Sequence, residues 1–314
     1  MNTPWKQAGA ASGFCIIAGP TASGKSDLAI RLAEVWGGQI VNADSMQRVR
    51  GLPILTAAPD VADRARVPHH GFGEITDPGD ASVAAWLEWT CDTILQIEPA
   101  PAIVTGGTGL YLQALIEGVV SLPPIPDQVR RQTRELFRAL GHDAFGEALC
   151  RLDPDLAAAG MPLDPQRRMR AYEVKLATGR SLAEWQAEAH APPDLPAFLG
   201  GLVLLPPKDE LISAMRERLE TMVQRGCLEE LRNWRSGPTS ASSPLWKAIG
   251  VRDFADHLDG KLTLEEAIGR ALIATRRYAK RQRTWFRHRL PQLTEVKAFG
   301  SALSVEQALA HLEA

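Results

Sequence analysis

The stretch FCIIAGPTASGKSDLAIRLAEVWG, residues 14–37, decides the fold. Its apolar run Phe14 to Ala18 reads as a buried strand. KSDLAIRLAEVWG sets Leu28, Leu32 and Val35 at helical spacing before the stop signal Gly37-Gly38. Between strand and helix, Gly19, Pro20, Thr21, Ala22, Ser23, Gly24, Lys25 and Ser26 fill the pattern G-x-x-x-x-G-K-[ST]. The glycines let backbone N–H groups turn inward around an anion, Lys25 adds a cation, and Ser26 offers a hydroxyl to a magnesium ion. The loop is predicted to hold a diphosphate or a triphosphate.

Outward from the loop, short apolar runs alternate with helical patterns, as in a parallel α/β sheet. GQIVNAD (38–44) reads as a second strand ending on Asp44. ASVAAWLEWTCDTILQI (81–97) reads as a helix with Ala84, Leu87, Cys91 and Leu95 on one face. PAIVTGG (101–107) is a third strand running into Gly106-Gly107-Thr108-Gly109. Proline clusters at 121–127 and 191–197 bracket a charged, helix-favouring segment with no strand pattern. GLVLLPP (201–207) resumes strand character, KDELISAMRERLETMVQRG (208–226) is an amphipathic helix, and the chain stays helical to Leu290. The expected fold is α/β: a P-loop NTPase-like parallel sheet core (1–120 and 200–290) flanked by helices. An all-helical insertion (121–199) and a C-terminal tail (291–314) complete it.

Hydrophobic residues at 45% and charged residues at 23% fit a soluble globular chain. A formal net charge of -2 excludes a protein that is basic all over, but not a local basic stripe. Cys15, Cys91, Cys150 and Cys227 are far apart and form no CxxC pair, as expected of reduced thiols in a cytosolic protein. The segment MNTPWKQAGAASG has no signal-type apolar core, and no stretch approaches the roughly 18 apolar residues of a membrane span. The expected compartment is the cytoplasm.

A nucleotide hydrolase usually has a second strand-end Asp that helps hold magnesium. Here the third strand ends in Thr105 and glycines, and the carboxylate is Asp44 on the second strand. The loop therefore suits a polyphosphate without requiring phosphoryl transfer. A small-molecule or nucleoside kinase stays open, and so does an enzyme for which diphosphate is a leaving group. Asp44-Ser45-Met46-Gln47 lies at a strand's carboxyl end, where open α/β sheets bind ligands. The carboxylate can act as general base, magnesium ligand or acceptor for an amine, and a turn or N-cap Asp reads the same way. Thr108 is a second candidate, with a plain turn hydroxyl as its alternative. His69-His70 cannot easily converge on one ion and reads as a loop.

The last long helix carries Arg276, Arg277, Lys280, Arg281, Arg283, Arg287 and Arg289 with no acid among them, interleaved with Tyr278, Trp285 and Phe286. Arg276, Lys280, Arg283 and Arg287 share a face, either solvated or made for nucleic-acid phosphates. Gln166-Arg167-Arg168-Met169-Arg170 and Arg130-Arg131 are further basic knots, and Arg216 and Arg218 are placed to reach back to the loop. The clusters point towards a polyanionic partner, with salt-bridged surface helices as the open alternative.

From Phe14 to Arg287 these motifs, in this order, resemble the tRNA dimethylallyltransferases (tRNA isopentenyltransferases, the IPP transferase family). The blocks are GPTASGKS, NADSMQRVR (42–50), VPHH (67–70), GGTGLYLQALIEG (106–118), DPQRRMRAYEV (164–174), KAIGVRDF (247–254) and ATRRYAKRQRTWFR (274–287). The resemblance implies transfer of a dimethylallyl group from dimethylallyl diphosphate to N6 of the adenosine 3′ of the anticodon, in tRNAs reading U-starting codons, with magnesium and release of diphosphate. It implies that the loop, Gly19 to Ser26, holds the diphosphate, and that Ser26 holds the metal. Asp44, Thr108, Lys25 and Arg218 are the implied catalytic set, with Asp44 at the adenine N6 and Arg218 at the diphosphate. Ser45, Met46, Gln47, Arg130, Gln166, Arg167, Arg168, Met169, Arg170 and Arg281 are implied on the tRNA side, with Asp44 and Thr108, and the insertion on the anticodon stem-loop. A monomer and no membrane partner are expected. Two departures stand out: Arg48-Val49 where the family has Val-Tyr, and PILTAAP (53–59) with Ala58 where a lysine is common. A kinase is disfavoured by the missing Asp on the third strand and by the basic helix. A non-catalytic RNA-binding protein is disfavoured by the intact Lys25, Ser26 and Asp44.

Overall fold

A computed structural model describes residues 12–76, 82–120, 122–160, 164–188, 191–237 and 243–312. Residues 1–11, which include most of the segment read for a signal, lie outside the described residues. The chain divides into two compact units, Met1–Ile116 with Pro193–Ala314, and Glu117–Pro192.

The first unit is built on six strands: β1 (Gly13–Ala18), β2 (Gln39–Asn42), β3 (His69–His70), β4 (Ala102–Gly106), β5 (Ala197–Leu204) and β6 (Thr294–Val296). They form one parallel sheet in the order β3-β2-β4-β1-β5-β6. The central strands β1 and β4 are buried on both faces, which is why they read as unbroken apolar runs. The helices of this unit that shape the site are α1 (Lys25–Trp36), α2 (Val83–Gln96), α3 (Gly109–Glu117), α4 (Lys208–Gln224), α5 (Leu264–Arg289) and α6 (Val305–Leu312). One face of the sheet packs Ile16, Val41 and Val104 against Trp86, Leu112 and Phe286. The other packs Ile17, Ile40 and Ile103 against Leu28 and Leu32 of α1 and Leu312 of α6.

Several expectations are corrected here. On α2 the inward residues are Trp86, Thr90, Thr93 and Ile94, while Ala84 and Leu95 are exposed. The bulk of Trp86 sets that face: its ring stacks on Tyr111 at 4.4 Å, and its Nε1 donates to the Asn42 carbonyl at 2.8 Å. Val35 on α1 points to solvent, past the edge of the buried stripe. His69-His70 is not a loop but the edge strand β3, paired with Ile40 and Val41. Of the expected tail, 291–314, the described residues 291–312 belong to the core: β6 pairs with Leu202–Leu204, and α6 closes the layer over α1. Ala197–Leu199, expected in the insertion, are the first residues of β5.

The second unit is helical, with helices at Asp127–Leu152, Pro154–Ala159, Pro165–Thr178 and Leu182–Gln186. The first breaks at Gly141, whose φ of 72° no β-carbon residue adopts easily. Phe145 is fully buried, with Phe137 and Tyr172 each 5.2 Å from its ring.

At Gly106 the β4 backbone approaches β2 so closely that a β-carbon would run into the Ala43 carbonyl. Gly106→Ala should lower stability by about 2 kcal/mol or more in urea denaturation, the scale of overpacking against a backbone that cannot yield. An unchanged midpoint would contradict this close approach.

Candidate active site

The carboxyl ends of β1 and β2, with α4 and α5 beside them, open on a cavity of about 660 Å³. After β1 the chain turns through Ala22 and Gly24, with φ of 64° and 80°, and enters α1 at Lys25 with no side chain capping its first amides. Those amides stay open to an anion, as the motif requires. The loop is held from three sides. Arg218 Nη1 donates to Thr21 Oγ1 at 2.9 Å, the Thr21 N–H donates to Gln282 Oε1 at 3.2 Å, and the Gly300 N–H donates to the Ser23 carbonyl at 2.9 Å.

Lys25 and Arg218 both line the cavity. Burial, and after it the neighbouring Arg218, bring the Lys25 ammonium down to about 8, with Asp44 opposing the shift. Arg218 is likewise lowered by burial and supported by Asp44. Two crowded cations thus face one carboxylate.

Asp44 lies half-buried on the cavity wall. Its Oδ1 accepts from the Met46 and Gln47 N–H groups at 3.0 and 3.4 Å, which makes it a turn residue. The same bonds fix the carboxylate against the cleft. Asn42, fully buried, accepts the Asp44 N–H at 2.8 Å and donates to the Gly71 carbonyl at 2.8 Å, anchoring the turn. Gln47 Nε2 donates to the carbonyls of Thr56 and Ala57, both at 2.9 Å, and pins the PILT turn. Thr108 stands behind this wall: its Oγ1 accepts the Ser45 N–H at 3.0 Å and lies 3.4 Å from Ser45 Oγ. On β4 the Thr105 hydroxyl is tied to the Ile17 carbonyl at 3.0 Å, so no carboxylate stands where hydrolases keep one.

No group of three His, Cys, Asp or Glu suited to a metal occurs among the described residues. Ser26, Asp27 and Asp44 line the cavity as isolated oxygen donors. That set suits magnesium, which keeps several waters and takes few protein ligands when it arrives with a phosphate.

Of the other expected residues, Ser45, Met46, Gln47 and Arg281 line the same cavity. Arg130, Gln166, Arg167, Arg168, Met169 and Arg170 belong to the helical unit. There Gln166 and Arg167 are exposed, and Arg170 pairs with Glu173 at 3.6 Å. Arg168, expected on the RNA side, is turned inward: it is 7% exposed, and its Nη1 donates to the His142 carbonyl at 2.8 Å, beside the break at Gly141. It pins the helix break rather than presenting charge. Arg48, where the family pattern has valine, is also buried, with its guanidinium 4.9 Å from the centre of the Trp89 ring and hydrogen-bonded to Tyr111. The sequence reading missed Tyr278 and Gln282. Both line the cavity from α5, four residues apart on one face, a spacing visible in the sequence but masked by the arginines around it.

Two outcomes follow from this geometry. Pyrophosphate affinity, measured by calorimetry from pH 6.5 to 9.5, should fall as pH rises through about 8, because the anion needs the charged form of Lys25. Lys25→Met should weaken binding and remove that step; a wild-type profile identical in shape to the variant's would contradict it. In denaturation of the full chain, Arg168→Met should cost about 1–3 kcal/mol by removing the charged hydrogen bond to the part-buried His142 carbonyl. Arg167→Ala should stay within about 0.5 kcal/mol, as at an ordinary surface site.

A family model described as IPP transferase matches residues 47–289. A tRNA dimethylallyltransferase of Caulobacter sp. (strain K31) is 43% identical over 94% of this chain and 96% of its own. One from Phenylobacterium zucineum is 46% identical over 89% and 92%. Among solved structures, a eukaryotic dimethylallyltransferase acting on tRNA superposes with a TM-score of 0.79 at 26% identity, over 95% of this chain and 76% of that one. A tRNA isopentenylpyrophosphate transferase from Bacillus halodurans gives 0.63 at 29% identity, over 96% and 94%.

Proposed function

The chain belongs to the IPP transferase family, and from that premise we propose how its cleft transfers a dimethylallyl group. The enzyme is a tRNA dimethylallyltransferase. In our reading the acceptor is N6 of the adenosine 3′ of the anticodon, in tRNAs reading U-starting codons. The products are N6-isopentenyladenosine and diphosphate. The observation that carries the reading is the pairing of Lys25 and Arg218 with Asp44 in one cleft, with no carboxylate on β4.

The loop amides, Lys25 and Arg218 take the diphosphate and stabilise the charge that grows on it as the allylic carbon–oxygen bond breaks. Met46, Leu55, Met215, Leu219 and Met222 line the cavity and supply an apolar wall for the five-carbon chain. The adenine leaves its stack to enter the cleft. Its N6 forms the new bond to carbon, and Asp44 accepts the N6 proton that is lost. Thr108 and Asn42 hold the Asp44 turn without entering the cleft. Magnesium, when bound, adds charge stabilisation at the diphosphate, and Ser26 Oγ is the residue that would hold it. The helical unit takes the anticodon stem-loop, with Arg130, Gln166 and Arg167 as its contacts and bases stacking as single-stranded RNA allows. Arg276, Arg277, Lys280 and Arg281, exposed on α5, meet phosphates. Among the described residues no helix is long and apolar enough to cross a membrane. We place the enzyme in the cytoplasm as a monomer.

The direct test incubates the protein with unmodified tRNA and labelled dimethylallyl diphosphate. Label should enter adenosine; no label, with phosphate passing from ATP to a small acceptor, would overturn the reading. Asp44→Asn keeps the oxygen that holds the turn but removes the base. It should lower turnover by about 10²–10⁴-fold with little change in tRNA affinity. Equal loss of both would make Asp44 structural.

A further inference from the structure

The two halves of the cleft are joined through one buried amide. Gln282 is 5% exposed and extends from α5 between the phosphate loop and the turn after β4. Its Oε1 accepts the Thr21 N–H at 3.2 Å, and its Nε2 donates to the Gly107 carbonyl at 2.8 Å. The partners fix the amide's orientation, since only its oxygen can accept an N–H and only its nitrogen can donate to a carbonyl. Gly107 makes room for it: a β-carbon there would strike Nε2. One turn earlier on α5, the Tyr278 hydroxyl lies beside Thr108 and Gln282.

Each end of this bridge continues to a reacting group. On the loop side, Thr21 also carries Arg218 at its hydroxyl. On the turn side, the Thr108 N–H donates to the Ala43 carbonyl at 3.1 Å, and Thr108 Oγ1 accepts the Ser45 N–H, on either side of Asp44. We propose that Gln282 is a positioning residue that sets the separation between the diphosphate cradle and the Asp44 turn. The inference rests on the prenyl-transfer reading above. In that reaction N6 must meet the allylic carbon while the diphosphate oxygen departs, so the gap between the two halves is the critical length. A misplacement of about 1 Å costs on the order of 100-fold in rate.

The bridge cannot be rebuilt by other side chains. Methionine leaves an N–H and a carbonyl unpaired, asparagine is a methylene short, and glutamate sets a carboxylate against the Gly107 carbonyl.

The test uses the full chain with Gln282→Met and, should that variant fold poorly, Gly107→Ala, which displaces the amide without removing it. Turnover into tRNA should fall about 100-fold, while tRNA affinity stays within about threefold of wild type, a split that marks loss of alignment rather than of binding. The diagnostic readout is the fate of the donor. When N6 is out of place, water can take the allylic carbon, giving dimethylallyl alcohol and diphosphate. The ratio of alcohol to modified tRNA should rise at least about tenfold. Lower stability with an unchanged ratio would make Gln282 merely structural and overturn the proposal. Absence of transfer by the wild-type enzyme would instead sink the functional reading, so the two failures are distinct.

Discussion

Lys25 and Arg218 are both partly desolvated in one cleft, with Asp44 as the carboxylate that supports their charge. Most of the architecture around the cleft serves to hold that arrangement. Burying cations is unfavourable unless they are paired, and in the proposed reaction a diphosphate supplies the missing negative charge. The site is therefore built for its anion before the anion arrives, and its dipoles need little reorganisation during reaction. The supports come from distant parts of the chain: β1 supplies the loop, α4 brings Arg218, α5 brings Gln282, and Gly300 near the C-terminus caps the Ser23 carbonyl.

The same loop occurs in enzymes that cleave phosphate bonds, and the difference lies in where the carboxylate stands. Thr105 closes β4 with a hydroxyl that is tied to Ile17, so that strand offers nothing to a metal or an attacking water. The carboxylate has moved to the end of β2, on a turn held by Asn42 and Thr108. From there it faces the cleft beside the loop, where it can receive a proton from an incoming amine. A phosphate-binding fold thus becomes a scaffold for alkyl transfer.

Much of this was legible in the sequence, because the signals are local. The loop, the apolar runs of β1, β2, β4 and β5, and Asp44 at a strand end are each set by a few consecutive residues. What escaped depends on tertiary partners. β6 is three residues long, too short for any periodicity, and exists because β5 leaves an edge to pair. The inward face of α2 is set by one large ring finding Tyr111 and the Asn42 carbonyl, which keeps Leu87 at its margin and leaves Leu95 exposed. Arg168 sits in a basic run that reads as surface, yet the break at Gly141 leaves a carbonyl that draws it inward. Gln282 is one polar residue among seven basic ones, and nothing local reveals that both ends of its amide are in use.

The central claim is that the loop holds a leaving group and that the bond formed is to an adenine nitrogen. It is tested most directly with dimethylallyl diphosphate carrying heavy oxygen at the bridge between carbon and phosphorus. After reaction with unmodified tRNA, mass spectrometry should find all of the heavy oxygen in released diphosphate and one dimethylallyl unit on adenosine. Heavy oxygen retained in an alcohol, with a phosphoryl group found on an acceptor, would contradict the account.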